Sequence, residues 1–181
     1  MPKSDNPHAI RLRESLTAHS GVETAARIME ALPLPKSADY IKKFDWAEKV
    51  CAALEAEFDA DTVRAIRMDC ACGPETGKIN KLKAVFEKSV DMADFAAKAN
   101  VLQQGFTIRY ERGALFLVYP ECYCSCVKRV DKPISASWCD CTLGYTKRMF
   151  SNVLSRGVAV SLVESVKTGG KQCIIRITTA S

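Results

Sequence analysis

The sequence predicts an α+β fold in which N-terminal helices pack against a C-terminal antiparallel sheet of about four strands with one intervening helix. Two observations predict it. Through the first hundred residues apolar side chains recur every three or four positions, in blocks separated by Gly and Pro. After Gly105 the period drops to two, and short apolar runs alternate with turn residues. A chain of 181 residues with 48% hydrophobic and 26% charged composition suits one domain, 1–181, with a helical part over 1–104 and a sheet, cysteine loop and helix over 105–181.

The elements follow in order. Beyond Pro33-Leu34-Pro35, Ser37 or Asp39 can cap a helix whose stripe is Ile41, Phe44, Ala47, Val50, Cys51, Leu54 and Phe58. Asp59 or Asp61 starts the next, with Val63, Ile66 and Met68 inward, and Gly73-Pro74 stops it, leaving Cys70 and Cys72 at its C-terminal end. Two further helices centre on Leu82, Val85 and Phe86, and on Met92, Phe95, Ala99 and Leu102. "FTIRYE" places Phe106, Ile108 and Tyr110 on one face of a strand. "RG" at 112–113 turns the chain, and "ALFLVYP" reads as a strand covered on both sides and ended by Pro120. Residues 142–155 form an amphipathic helix closed by Gly157. "VAVSLVESV" and "QCIIRIT" are strands joined through "KTGGK".

Seven of the nine cysteines fall in Cys-x-Cys units: Cys70 and Cys72; Cys122, Cys124 and Cys126; Cys139 and Cys141. In an extended segment residues i and i+2 face the same way, so one unit can offer two sulfurs to one partner. Two units can supply the four thiolates that tetrahedral zinc or an iron–sulfur cluster requires. All seven are therefore candidate metal ligands, with Tyr123 and Trp138 as shielding aromatics. Cys51 and Cys173 read as small core residues. His8 and His19 lie far along the chain from the cysteines and read as helix-surface residues.

The net charge of +5 is concentrated after residue 100, where Lys128, Arg129, Lys132, Lys147 and Arg148 flank the cysteines. Such a field favours thiolate over thiol and attracts an anionic small molecule. The N-terminus has no apolar core of a secretion signal and no run is long enough to span a bilayer, so a cytoplasmic location without membrane attachment is expected. In that reducing compartment close thiol pairs point to metal binding or catalysis rather than disulfides. No aromatic-basic motif or finger spacing supports nucleic-acid binding. "GPETGK" at 73–78 is one residue short of a phosphate loop. A homodimer is compatible with the sequence.

"WCDCTLGY", "VSLVES" with Glu164, "KTGGKQC" with Cys173, and "IIRI" together resemble the C-terminal part of the 4-vinyl-reductase domain and of the L-2-amino-thiazoline-4-carboxylate hydrolase family. The resemblance covers about a third of the chain. It implies helices on an antiparallel sheet, as in small-molecule-binding sensor domains, and either a hydrophobic ligand or metal, or hydrolysis of a C–N bond. The thiols exceed what either pattern uses, which is also what a distinct cysteine-rich bacterial or archaeal family would show. The expected function is a metal- or iron–sulfur-binding, sensor-like ligand domain. The alternative is a hydrolase with a thiolate or metal-bound water as nucleophile, and Glu121, Asp140 or Glu164 as base.

Overall fold

In the computed structural model, which describes residues 5–73 and 76–179, the fold is α+β: seven helices and one four-stranded antiparallel sheet among the described residues. The chain forms two compact units, one of residues up to Ala71 with Tyr123–Gly144, the other of Cys72–Cys122 with Tyr145–Ser181. Among the described residues no helix is long and apolar enough to cross a membrane.

The first unit is built from helices whose starts are set by short polar side chains. Asn6 caps α1 (Pro7–Ser20), accepting from the His8 N–H. Gly21, at φ +83°, turns the chain directly into α2 (Val22–Ala31). Of the two expected caps for α3 (Tyr40–Glu57), Asp39 is the one used, its carboxylate accepting from Lys42 N at 2.8 Å. Asp59 likewise caps α4 (Ala60–Asp69) through Thr62 N at 2.9 Å. Cys70 is the C-cap of α4, as the sequence places it; Pro74, part of the expected stop, lies outside the described residues.

Leu12, Leu16, Phe44, Val50, Leu54 and Ile66 are fully buried and form the core of this unit. Polar ties hold α1 to α4: Ser15 Oγ donates to Ile66 O at 2.8 Å and Arg11 Nε to Cys70 O at 3.2 Å. A 3₁₀ turn over Ala136–Cys139 packs Trp138 edge-on against Trp46, with ring centroids 5.9 Å apart. Its Ser135 and Ser137 hydroxyls both donate to Glu55. From this turn α7 (Asp140–Val153) starts, two residues earlier than the periodicity suggests. Gly144 is required there. A Cβ at this position would overlap the Met68 carbonyl, so the lack of a side chain lets α7 lie against the backbone of α4.

The second unit holds α5 (Thr76–Glu87), α6 (Met92–Val101) and the sheet, with strand order β1-β2-β4-β3. β1 (Thr107–Glu111) and β2 (Ala114–Tyr119) form a hairpin whose Arg112 and Gly113 take φ +50° and +76°, the primed-turn geometry that matches strand twist. β2 is buried along its length except at the half-buried Phe116, close to what its unbroken apolar run predicts. Tyr110 departs from the expected inward face and is 40% exposed, since β1 is an edge strand held mainly near Ile108. There the Asn100 side chain of α6 closes two hydrogen bonds with the Ile108 backbone, at 2.7 and 2.9 Å.

β3 (Val158–Glu164) stops two residues short of the expected end. Val166–Thr168 instead form a 3₁₀ turn before β4 (Cys173–Thr179). The Glu164 carboxylate caps this connection, accepting from Lys171 N at 2.6 Å and Gln172 N at 3.1 Å. Glu164, read as a possible base, therefore does structural service, as does Gly170, where a Cβ would crowd that carboxylate. Cys173 is buried in β4, as expected.

Candidate functional site: thiols around a buried arginine

The first unit holds Cys51, Cys70, Cys124, Cys126, Cys139 and Cys141, from α3, the end of α4, the 123–135 loop, the 3₁₀ turn and the start of α7. Cys72 and Cys122 belong to the second unit, each at its boundary. Five of the seven candidate ligands thus lie in one unit, joined by Cys51, which the sequence assigns to the core alone.

At the centre of this group stands a residue the sequence reading passed over. Arg67, on α4, is 3% exposed. Its guanidinium lies 4.0 Å from the centre of the Trp138 ring, and one terminal nitrogen donates to Trp138 O at 3.2 Å. Nε, equally buried, has no hydrogen-bond partner, and no carboxylate forms an ion pair with Arg67 among the described residues. Burial works against its charge. Cys141, Cys70, Cys51 and Cys124 more than offset this and hold its pKa above the ordinary arginine value.

The thiols respond unequally. Burial pushes Cys141 up to about 12 and raises Cys70 and Cys51, in each case against the pull of Arg67. Cys124 goes the other way, down to about 6, because the Cys126 S–H donates to its sulfur. The Trp138 indole and the backbone N–H groups of Cys126 and Val127 reinforce this against the cost of burial. Trp138 Nε1 is buried and has no hydrogen-bond partner. Donating that bond drives the Cys126 thiol upward.

Cys124 O accepts from Val127 N at 3.1 Å and Lys128 N at 2.9 Å, curling 124–128 so that Cys126 is buried while Cys124 stays half-buried. The expected basic partners Lys128 and Arg129 are exposed, and the cation facing the thiols comes from α4 instead. Of the two aromatics expected to shield a metal, Trp138 is buried and Tyr123 is 39% exposed.

His8 is not the bystander the sequence suggests. Nε2 meets Ser125 Oγ at 3.3 Å and Nδ1 meets Arg11 at 2.9 Å, so α1 touches the cysteine loop. Burial, then the charges of Arg11, Lys43 and Arg67, lower its pKa to about 4 and keep it neutral. His19 pairs with Asp69, next to Cys70. Burial raises Asp140 despite Arg64 and Arg67.

Among the described residues no three His, Cys, Asp or Glu side chains are placed to hold a metal ion together. The charges of Cys141, Cys70, Cys51 and Cys124 all act on Arg67. A cleft of about 210 Å³ between Pro33-Leu34-Pro35 and α3, and one of about 130 Å³ against the sheet in the second unit, have no cysteine in their walls. Both are smaller than a pocket for a drug-sized ligand, typically above about 300 Å³.

Among solved structures the chain is similar to H-NOX proteins of Shewanella oneidensis. One crystal structure, in the Fe(II)NO ligation state, is 14% identical and aligns over 97% of this chain and 99% of that one, with a TM-score of 0.45. An NMR structure of an H-NOX domain in the Fe(II)CO state is 14% identical over 97% and 98%, at 0.46. No curated protein matches the sequence. These comparisons lend no support to the resemblance with the 4-vinyl-reductase domain. The sequence instead matches the model of the family of unknown function DUF6144 over residues 8–181, nearly its whole length, and the chain belongs to that family.

Proposed function

We propose that this chain is a sensor-like domain for small ligands, and that the group engaging the ligand is the thiolate of Cys124. The observation that carries this reading is Arg67. A guanidinium removed from water needs a counter-charge, because an isolated buried ion is strongly disfavoured. Sulfur is what surrounds it. Cys124 is the thiol there whose neighbours favour ionisation, and it remains half-buried rather than sealed. A thiolate so placed is a soft nucleophile for a small thiophilic species.

Alkylation of the reduced chain tests the reading. With iodoacetamide at a series of pH values, Cys124 is expected to react first, its rate levelling off above about pH 6 to 7, and Cys124→Ser to remove that fast phase. Nine thiols reacting alike, with the ordinary profile of a free cysteine, would sink it.

A second reading keeps the metal. Cys-x-Cys units from separate segments share the field of one arginine, and metal binding would trade their protons for a cation. Zinc or an iron–sulfur cluster would draw ligands from the five candidates of the first unit, Cys70, Cys124, Cys126, Cys139 and Cys141, with side chains moving to converge. Elemental analysis and absorption spectra of anaerobically purified protein decide it; a metal content well below stoichiometric removes this reading.

A further inference from the structure

We propose that the cleft between Pro33-Leu34-Pro35 and α3 binds a small monocarboxylate with an aromatic or short aliphatic body. The cleft lies within the first unit and has no cysteine in its walls, so this site stands apart from the thiols and does not rest on their reactivity.

One wall is apolar and fixed in place. Two prolines stiffen it, because each ring locks its own φ, and hydrogen bonds tie it down along its length. Leu32 O accepts from the Trp46 indole at 3.0 Å. Pro35 O accepts from Asn6 Nδ2 at 3.3 Å and from Ala38 N at 3.0 Å, and Lys36 N donates to the Asp5 carboxylate at 2.9 Å. Since the Trp46 N–H is used by the wall, Trp46 presents only apolar ring to the cleft. Leu32, Leu34 and Trp46 are buried, and together they make an apolar floor.

The other wall is charged. Lys42, Asp45 and Lys49 line the cleft from α3, and their spacing of three and four residues puts them along one helix face with Trp46. None of the three forms an ion pair among the described residues. Two cations and one anion leave a single positive charge in excess, which one carboxylate matches. An amphipathic anion therefore fits both walls, its body against proline and tryptophan and its carboxylate towards Lys42 and Lys49. Apolar contact supplies the attraction, and the charges set orientation and selectivity. Size limits the ligand further. The volume of about 210 Å³ corresponds to roughly seven waters at about 30 Å³ each, room for one ring or a short chain and too little for a nucleotide or a long-chain fatty acid.

Titration of the reduced full chain with benzoate and with phenylacetate tests the proposal, followed by calorimetry and by the indole N–H resonance of Trp46. Saturable binding of one molecule per chain, with a matching shift of that resonance, is expected. Lys42→Gln and Lys49→Gln should each weaken binding by up to about fivefold, while Asp45→Asn should tighten it. All three positions are exposed, so these variants keep the fold. Added salt should weaken benzoate binding and leave that of benzyl alcohol, its uncharged counterpart, unchanged. Benzyl alcohol bound as tightly as benzoate would reduce the cleft to an apolar trap and overturn the proposal. So would an unchanged affinity in the double lysine variant, or the absence of any saturable shift at Trp46.

Discussion

Arg67 is the residue on which the first unit's electrostatics turn. Its guanidinium is covered by Trp138 on one face, bonded to a single carbonyl and otherwise among sulfurs. A buried charge of this kind is costly to keep without its counter-charge. Arg67→Met, similar in length but uncharged, removes one side of that pairing and should lower stability in urea by about 3–5 kcal/mol, less where the facing thiol takes up a proton. Its Cys124 should need higher pH for the same alkylation rate, because the attraction between Arg67 and Cys124 is mutual. If the urea midpoint falls steeply while the alkylation profile stays put, Arg67 is a packing residue. Nothing in the local pattern around Arg67 sets it apart from Arg64, one turn earlier. Its role appears only once α3, α4, the loop and α7 are brought together.

At the level of elements, most boundaries are set by single polar residues or glycines. Asp39→Ala should cost about 1 kcal/mol through the lost cap on Lys42 N, whereas Ser37→Ala should cost little; thermal unfolding of the two variants separates them. Gly144→Ala is a harsher change. Its methyl would press into the Met68 carbonyl, backbone that cannot rotate away, and overpacking of this type costs about 1–3 kcal/mol or more. A large drop in melting temperature is expected, together with lost protection of the α4 C-terminus in hydrogen exchange. An Ala variant as stable as the wild type would mean that α7 does not need to approach α4 so closely. Gly144, Glu164 and Gly170 of the C-terminal motifs serve packing and capping.

For the molecule as a whole, the shifted groups define a stability profile against pH. His8 has its folded pKa lowered from 6.5 to about 4, so its contribution is complete above 6.5 and lost as pH falls towards 4. Cys124, depressed from 9 to about 6, contributes fully above 9 and loses that contribution as pH falls from 9 to 6. The buried thiols act in the opposite sense: Cys51, Cys70, Cys126 and Cys141 are raised, so their contribution is complete below 9 and fades as pH rises beyond it. Urea midpoints measured from pH 4 to 11 should decline on both sides of a maximum between about pH 7 and 9. Cys124→Ser should flatten the slope between 9 and 6, and His8→Asn the slope between 6.5 and 4. An unchanged profile in either variant would show that the group is not perturbed by its surroundings.

The amino-acid sequence by itself determined the class of fold, the order of helices and strands, the caps at Asp39 and Asp59 and the Arg112-Gly113 turn. These depend on periodicity and on backbone preferences carried by neighbouring residues. It also marked sulfur as the chemistry of interest through the Cys-x-Cys units. Tertiary structure decided the rest: Arg67 rather than Lys128 or Arg129 faces the thiols, Cys51 joins them, and His8 reaches Ser125 across more than a hundred residues of chain. It also decided that burial raises Cys126 and Cys141 while the groups around Cys124 lower it. Proton affinities follow from burial and from charges a few ångströms away, and both come from chain segments whose meeting leaves no periodic trace in the sequence.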